Sequence, residues 1–221
     1  MDKKLYVIES GSDGSGKKTQ TRLLYENLTK SGVKAEIADF PNYKSPSSYA
    51  LRLYLKGQFS SDAGGVNAYA ASSFFSIDRY VTFKQKFFKI YNQGATIIAN
   101  RYTTSNMLYQ GGKIDSPKER ELFFEWLENL EYDIYGLPRP TRVFYLDIPF
   151  ETSYEWLNKR RQRKNIRDIH EEDRAYLEKV YNISLETAKS RGWTIINCES
   201  AGRLLSPEEI NRLIMENIDE G

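Results

Sequence analysis

The sequence predicts an α/β fold, and two patterns along the chain lead to this prediction. Five short apolar runs alternate with helical patterns, which is typical of a parallel sheet covered by helices on both faces. The first run, Leu5–Glu9, leads into a glycine-rich loop and then into a helix. Ligands of such sheets bind beyond the carboxyl ends of the strands, so site residues are expected directly after each strand.

The glycine-rich loop carries the strongest signal. Residues Gly11–Lys17 fit the phosphate-binding pattern G-x-x-x-x-G-K. Its glycines let backbone N–H groups turn toward phosphate oxygens, and the helix N-terminus and Lys17 add positive charge. The predicted class is therefore a P-loop NTPase fold, a three-layer α/β/α domain with a five-stranded parallel sheet and a lid. The residues expected to bind ATP are Gly11, Ser12, Asp13, Gly14, Ser15, Gly16, Lys17, Lys18 and Thr19.

One position of the loop departs from the pattern. The residue after the loop lysine is normally Ser or Thr, whose hydroxyl contacts Mg²⁺, but here it is Lys18. A lysine cannot bind a cation, so another oxygen must hold the metal, and Asp13 is the nearest candidate. Lys18 adds positive charge beside the phosphates or points into solvent, and the sequence does not favour either.

Size and composition set limits on the function. The chain has 221 residues and a formal net charge of +2, which gives no general argument for nucleic-acid or membrane binding. A single cysteine, Cys198, rules out an internal disulfide and is compatible with a reducing cytosol. The chain shows neither a signal peptide nor a run of membrane-spanning length. We therefore expect a cytoplasmic protein.

Five of the predicted helices carry a start or stop signal. The predicted strands are Leu5–Glu9, Ala35–Asp39, Thr96–Asn100, Val143–Asp147 and Thr194–Asn197. The predicted helices are Gln20–Lys30, Pro46–Lys56, Val66–Asn92, Ser116–Leu130, Phe150–Arg163, Glu171–Arg191 and a last one opening at Ser206. The first three end at or before a glycine, and Ser-Pro opens the fourth and the last. We find neither a repeat nor a linker, so residues 1–221 are expected to form one domain.

The second strand and the third helix supply candidates for acceptor binding. Phe40 and Tyr43 flank a proline turn after the strand, where they suit a sugar and a phosphate or an inward-packed turn. Phe75 and Arg79 lie four residues apart on the helix, so a ring and a guanidinium share one face and suit a nucleobase. Spacing alone favours a plainer interpretation, an aromatic covered by an arginine stem. The adjacent face, which holds Ala70, Phe74, Ile77, Val81 and Phe88, is expected to be core.

Polar residues crowd the region after the third strand. Arg101, at the strand end, is well placed for a second phosphate. The other candidates there are Ser105, Asn106, Tyr109 and Gln110, of which Asn106 and Gln110 suit an amide-bearing base edge. Capping and surface polarity are the alternative explanation.

A basic run in the second half of the chain predicts the lid. Six basic residues lie within nine positions, from Lys159 to Arg167, and acidic residues follow. Such a block is usually a solvated face or a nucleic-acid patch, but in a phosphoryl-transfer enzyme it forms an arginine-rich lid. We expect the lid at about residues 159–170. The weak net charge argues against a general nucleic-acid binder.

These motifs, in this order, resemble the thymidylate kinase family over almost the whole chain. The resemblance rests on the loop with Asp13, the Phe-Pro-x-Tyr turn, the Phe75/Arg79 helix, the Arg-Tyr element and the basic lid. It implies transfer of the ATP γ-phosphoryl group to dTMP with Mg²⁺, and usually a homodimer packed through long helices. Small-molecule substrates, with no nucleic acid or membrane partner, are expected.

The resemblance also implies roles for single residues. Phe75 would stack on thymine, Arg79 would reach its carbonyl, and Asn106 would face the base edge. Tyr109 would crowd the ribose 2′ position. The sugar and 5′-phosphate would be held by Phe40, Tyr43 and Arg101, and Lys17 would bridge the phosphates of the two nucleotides. The transferring group would be covered by Arg160 and Arg163. Metal or phosphate would be positioned with the help of Asp13 and Glu171. Asp13, Lys17, Arg101, Arg160 and Arg163 are thus the expected catalytic residues.

Two further departures leave alternatives open. Asn100 stands where the family usually has Asp, and Asn42 where it often has Arg. Together with Lys18, Asn100 leaves a non-catalytic nucleotide-binding module as one alternative. A deoxynucleoside kinase is another, because Glu9 could act as the base that a neutral hydroxyl needs. The acceptor turn and Arg101 favour a charged acceptor.

Overall fold

The fold is known from a computed structural model that describes residues 3–60, 62, 64–164 and 173–218, excepting the side chains of 160–164. Its main sheet has five parallel strands in the order β2-β3-β1-β4-β5. They are β1 (Leu5–Glu9), β2 (Ala35–Asp39), β3 (Thr96–Asn100), β4 (Arg142–Asp147) and β5 (Thr194–Asn197). All five predicted strands are confirmed, and only β4 starts one residue earlier than expected.

Helices cover the sheet and follow the predicted pattern with shifted ends. They are α1 (Lys17–Lys30), α2 (Tyr49–Leu55), α3 (Ala68–Thr82), α4 (Phe88–Asn92), α5 (Thr103–Gly111), α6 (Pro117–Glu128), α7 (Phe150–Lys164), α8 (Arg174–Ser190) and α9 (Pro207–Glu216). Wide π-helical turns, Phe83–Phe87 and Asn129–Ile134, follow α3 and α6. Helix α5 and a hairpin of β6 (Glu199–Ser200) with β7 (Arg203–Leu204) were not predicted.

The two faces of the sheet bury separate apolar clusters. Tyr6 and Ile8 of β1 point into a cluster beneath α1 and α9, whereas Leu5 and Val7 point into a cluster with the turn after α3. This alternation is the period of a strand buried on both sides. Cys198 is fully buried beside the first cluster, and burial raises the pKa of its thiol to about 12. Cys198 is therefore a packed residue whose thiol stays protonated at neutral pH.

The predicted core face of the third helix is confirmed only in part, because Phe74 packs half-buried against the cluster of Leu51 and Tyr54 but two other members do not. Ile77 and Phe88 are 47% and 43% exposed, so they point to solvent. The buried face of α3 is mostly polar and includes Ser76, Asp78 and Arg79. Their partners, described below, explain why polar side chains could be buried here.

None of the helices in the described part of the chain has both the length and the apolarity to cross a membrane.

Candidate functional site

The phosphate loop sits between β1 and α1, at the carboxyl edge of the sheet. Gly14 and Gly16 adopt positive φ angles of 83° and 81°, a conformation that favours glycine. Gly11 has no room for a side chain, because a Cβ would lie 2.8 Å from Ser184 and from the hydroxyl of Tyr145. The loop is therefore shaped by its glycines, as the motif requires.

Lys17 is folded into this loop. Its Nζ donates to the carbonyl oxygen of Ser12 at 2.6 Å and to Oγ of Ser15 at 3.1 Å, and lies 3.9 Å from Asp13. The side chain is 6% exposed, so the charge is held at the centre of the loop. Phosphate oxygens entering the loop would exchange places with these neutral oxygens.

Arg101 and Asp13 pair directly at the mouth of the loop. The backbone of Arg101 has φ 67°, a strained value for a residue with a side chain, and its guanidinium lies 4.9 Å from the ring centre of Tyr109. Burial disfavours the charge of Arg101, but the carboxylate of Asp13 outweighs it, so the pKa of Arg101 is well above its usual value. The structure thus brings three sequence-predicted residues, Asp13, Lys17 and Arg101, to one point.

Glu9 is a fully buried carboxylate at the end of β1. Its Oε1 accepts hydrogen bonds from Thr104 at 2.7 Å, from Ser105 at 2.5 Å and from the backbone N–H of Tyr102 at 3.3 Å. Oε2 has no hydrogen-bond partner among the described residues. Glu9 thereby fixes the segment that follows Arg101 and begins α5, and this contact occupies the predicted substrate residue Ser105.

The acceptor turn after β2 separates its two aromatics. Phe40 is buried and packs against Tyr102 with ring centres 5.8 Å apart, whereas Tyr43 is 51% exposed. The turn is held by Asp78 of α3, whose carboxylate accepts from the backbone N–H of Asn42 and from Oγ of Ser47, both at 2.8 Å. Asp78 was missed by sequence reasoning, because nothing local links it to a turn 36 residues earlier.

Phe75 and Arg79 lie one turn apart on α3 but have different neighbours. Phe75 is half-buried and meets the ring of Tyr54 edge-on at 6.3 Å. Arg79 is buried and forms a two-bonded ion pair with Glu131, through Nε at 2.7 Å and Nη2 at 3.2 Å. No contact between the Phe75 ring and the Arg79 guanidinium is found in the described structure, so their shared role at a base stays a prediction. Glu131 was also missed, because it stands among the polar residues Glu128, Asn129 and Asp133 and nothing local marks it as buried.

The remaining predicted acceptor residues lie on α5. Asn106 is buried and donates to the carbonyl oxygen of Ser72 at 3.3 Å. Gln110 accepts from the hydroxyl of Tyr54 at 3.4 Å, and that hydroxyl also accepts from Lys113 at 2.7 Å. Asn106 and Gln110 therefore contact α3 and α2 respectively, the helices that carry or adjoin Phe75.

The metal and lid predictions are only partly covered by the structure. Lys18 is exposed, and Thr19 is half-buried beside it. Asn100 donates to the carboxylate of Asp39 at 2.7 Å, across the ends of β3 and β2. Glu171 lies outside the described residues, as do the side chains of Arg160 and Arg163, although the backbone of both arginines continues α7.

The arrangement as a whole can bind two anions side by side. A backbone cradle with a buried ammonium lies next to a guanidinium at the neighbouring strand end, and an aromatic and amide-lined region lies beyond it. Such a set binds and aligns phosphates, and it needs no covalent nucleophile.

Comparison with known proteins identifies relatives over most of the chain. A sequence model described as "Thymidylate kinase" matches residues 8–206. Thymidylate kinase of Thermosipho africanus is 27% identical over 187 residues, covering 85% of this chain and 86% of that protein. The enzyme of Leptospira interrogans is 30% identical over 178 residues, covering 80% and 78%.

The human thymidylate kinase and one solved structure extend this comparison. The human protein is 29% identical over 145 residues, covering 64% of this chain and 60% of its own. The solved thymidylate kinase of Candida albicans superposes with a TM-score of 0.67 at 23% identity, covering 96% of this chain and 89% of its own. At that identity the superposition supports the fold alone.

Proposed function

The chain belongs to the thymidylate kinase family, and from this premise we propose that it transfers the γ-phosphoryl group of ATP to dTMP. The product would be dTDP, for the synthesis of dTTP. The single observation that carries the proposal is the meeting of Lys17, Asp13 and Arg101 at the mouth of a P-loop. These residues lie where the end of one polyphosphate and the phosphate of an acceptor would have to face each other.

The donor half of the mechanism uses residues 11–19. Backbone N–H groups of the loop and the N-terminus of α1 would receive the ATP phosphates, and Lys17 would exchange its oxygen partners in the loop for phosphate oxygens. Because Lys17 is already buried and charged, little reorganisation is needed when negative charge develops.

The acceptor half uses the ends of β2 and β3, with α3 and α5. Arg101 would leave Asp13 for the acceptor phosphate, and Phe40 and Tyr43 would border the sugar. Phe75, Arg79, Asn106 and Gln110 would surround the base, with Tyr109 beside the ribose. An ionised phosphate needs no base to activate it, so the mechanism requires only alignment and charge neutralisation. Glu9 is fully buried and three donors anchor its Oε1, which supports a structural role for it rather than proton abstraction from a nucleoside hydroxyl.

Mg²⁺ is expected with the nucleotides, and the donor set fits it only in part. Asp13 offers a carboxylate at the loop, whereas Lys18 offers no ligand and Asn100 only an amide. Among the described residues no group of three acidic, histidine or cysteine side chains could hold a metal. We propose that phosphate oxygens and water supply most ligands, as is usual for Mg²⁺, with Asp13 and Glu171 assisting. The ion would neutralise charge on the transferring group.

Three broader proposals accompany this function. Residues 1–221 form one domain whose lid, near 159–170, brings Arg160 and Arg163 over the transferring group. The enzyme is a homodimer formed through the α3–α6 face, which we define as Tyr69, Ile77, Tyr80, Phe88, Leu122 and Ile134. A cytoplasmic location is proposed because the single, buried thiol suits a reducing compartment.

Exposure and continuity support the α3–α6 face as an interface. Its six apolar side chains are between 38% and 66% exposed. The ring of Tyr69 lies 4.8 Å from that of Trp126 on α6, and Tyr80 lies 5.2 Å from Tyr135, so aromatic contacts join α3 to α6 and to the turn after it. A surface of this kind usually marks a contact site.

An acceptor screen tests the function. The purified protein is mixed with ATP, Mg²⁺ and one nucleoside or nucleoside monophosphate at a time, and ADP formation is measured. We expect dTMP to give the highest kcat/KM. Preference for dUMP, dCMP or an unphosphorylated nucleoside would overturn the substrate assignment, and tight ATP binding without turnover of any acceptor would favour a nucleotide-binding module instead.

A further inference from the structure

Glu131 is a completely buried carboxylate whose partners come from two other helices. Its oxygens accept from Oγ of Ser76 at 2.6 Å, from Oγ1 of Thr103 at 2.6 Å, and from Nε and Nη2 of Arg79 at 2.7 and 3.2 Å. It lies in the π-helical turn Asn129–Ile134, and turns of this type often occur at functional sites. The contacts join the segment after α6 to both α3 and α5.

These contacts fix the orientation of Arg79. A carboxylate that takes both Nε and Nη2 holds the planar guanidinium along one edge. The rings of Phe40 and Tyr102 lie 5.8 and 5.6 Å from the guanidinium carbon and limit it further. Nη1 takes part in none of the hydrogen bonds recorded for the described residues. The free edge of Arg79 is therefore held in one direction.

The pairing also changes what Arg79 can bind. Burial opposes its charge, but the attraction of Glu131 prevails and raises the pKa of Arg79, so the group remains an ionised donor. Because Glu131 compensates that charge at close range, the pair is neutral as a unit. A neutral pair with free N–H groups suits a carbonyl oxygen better than it suits a phosphate.

We propose that Glu131 is the positioning residue of the base pocket, holding Arg79 so that Nη1 faces a carbonyl oxygen of the acceptor pyrimidine. Through Thr103 the same carboxylate links this pocket to the segment that follows Arg101, so the base and phosphate halves of the acceptor site share one anchor. The proposal rests on the proposed function, since it assumes that a pyrimidine nucleotide is the acceptor.

The test is the Glu131→Gln substitution, read by calorimetric titration with dTMP and, separately, with ATP. A glutamine cannot accept from both Nε and Nη2 while keeping its other partners, so Arg79 loses its fixed direction. We expect the Kd for dTMP to rise about tenfold or more, because a hydrogen bond to a charged group is lost. The Kd for ATP should change less than about twofold, a difference too small to reflect a lost hydrogen bond.

The matched control is Glu128→Gln, one turn away on α6. Glu128 is partly exposed and lies 3.5 Å from Arg191, outside the base pocket, so both Kd values should stay unchanged. A second arm places Glu131→Gln in an Arg79→Ala background. There the substitution should have little further effect on dTMP binding, because the residue it positions is gone.

Each outcome separates positioning from mere support of the fold. If Glu131→Gln weakens ATP and dTMP binding equally, or weakens dTMP binding as much in the Arg79→Ala background, the proposal is wrong. If Glu131→Gln does not fold, the Thr103→Val variant takes its place, because it removes one hydroxyl that donates to the Glu131 carboxylate. This variant should weaken dTMP binding selectively. An equal loss of ATP binding would again contradict the proposal. Wild-type protein that fails to bind dTMP would refute the proposed function, whereas normal dTMP turnover with unchanged affinity in Glu131→Gln would refute this inference alone.

Discussion

Arg101 is the side chain that would link the two halves of the proposed site. It is paired with Asp13 of the phosphate loop, it stacks on Tyr109, and its backbone is held at a positive φ angle. Backbone strain of this kind costs about 1–3 kcal/mol and persists where the surroundings enforce it, often at functional sites. The pairing with Asp13 would keep both groups in position until phosphate enters.

Replacement of Arg101 should therefore affect catalysis more than folding. We expect Arg101→Ala to lower kcat by about 10²–10³-fold, the usual effect of removing one preorganised donor from a transition state. Steady-state kinetics with dTMP measure this. Arg22→Ala is the control, because Arg22 forms an exposed ion pair with Glu26 on α1 and should leave kcat unchanged. Equal losses in the two variants would contradict the assignment of Arg101.

The sequence could predict residues that local pattern fixes, and it could not predict residues that only tertiary contact defines. The loop Gly11–Lys17 is readable because its glycines and its lysine act within seven positions. Glu131 and Asp78 are not readable in this way, since they meet partners 52 and 36 residues away. No short-range pattern pairs either carboxylate with its partners.

At the scale of elements, the same cause explains both the successes and the errors. Buried parallel strands are nearly continuous apolar runs, as in β1, β3 and β4, and all five strands were found. Helix α5 was missed because its buried side chains include Thr103, Thr104, Ser105 and Asn106, which carry no apolar periodicity. The prediction for α3 placed Ile77 in the core for the same reason, because the buried polar side of the helix is satisfied by Glu131 and by the turn after β2.

Helix α9 offers a test of an element whose stability depends on pH. Ser206 and Glu209 form a reciprocal cap at its start, and Arg203 of β7 also pairs with Glu209 at 2.9 Å. Hydrogen bonding to Arg203, followed by the backbone N–H of Ser206, lowers the pKa of Glu209 to about 2 from an ordinary value of 4.5. The folded state therefore keeps this carboxylate ionised at pH values where the unfolded chain takes up a proton.

Glu209→Gln should accordingly lower Tm most above pH 4.5. The stabilisation by Glu209 is complete there, and it is lost as pH falls from 4.5 toward 2. Thermal unfolding of wild type and variant is measured between about pH 6 and about pH 3, a range that spans the ordinary carboxyl pKa. The difference in Tm between the two proteins should decrease as the pH is lowered. Glu208→Gln, on the same turn but outside the capping pair, should show a smaller difference without this trend. A Glu209→Gln difference that is constant with pH would contradict the capping account.

At the scale of the whole molecule, the strand order brings the site together. Strand β1 lies between β3 and β4, so the loop after β1 adjoins Arg101 after β3, and β2 beyond β3 adds the turn with Phe40. Helices α3 and α5 then close the region beyond these strand ends. Helix α3 supplies both the polar network of the proposed base pocket, through Ser76 and Arg79, and three exposed apolar residues of the α3–α6 face, Tyr69, Ile77 and Tyr80. Dimer formation and acceptor binding would therefore use the same helix.

The α3–α6 face should hold two copies of the chain together. Ile77 lies within this face at 47% exposure, and a charge there would be buried unpaired in a dimer. We expect Ile77→Glu to convert a dimer of twice 25.7 kDa into a monomer of 25.7 kDa in sedimentation velocity. Val33→Glu is the control, because Val33 is an exposed apolar residue in the turn between α1 and β2, outside the face. A wild-type protein that sediments as a monomer, or an Ile77→Glu variant that stays dimeric, would show that this face does not form the interface.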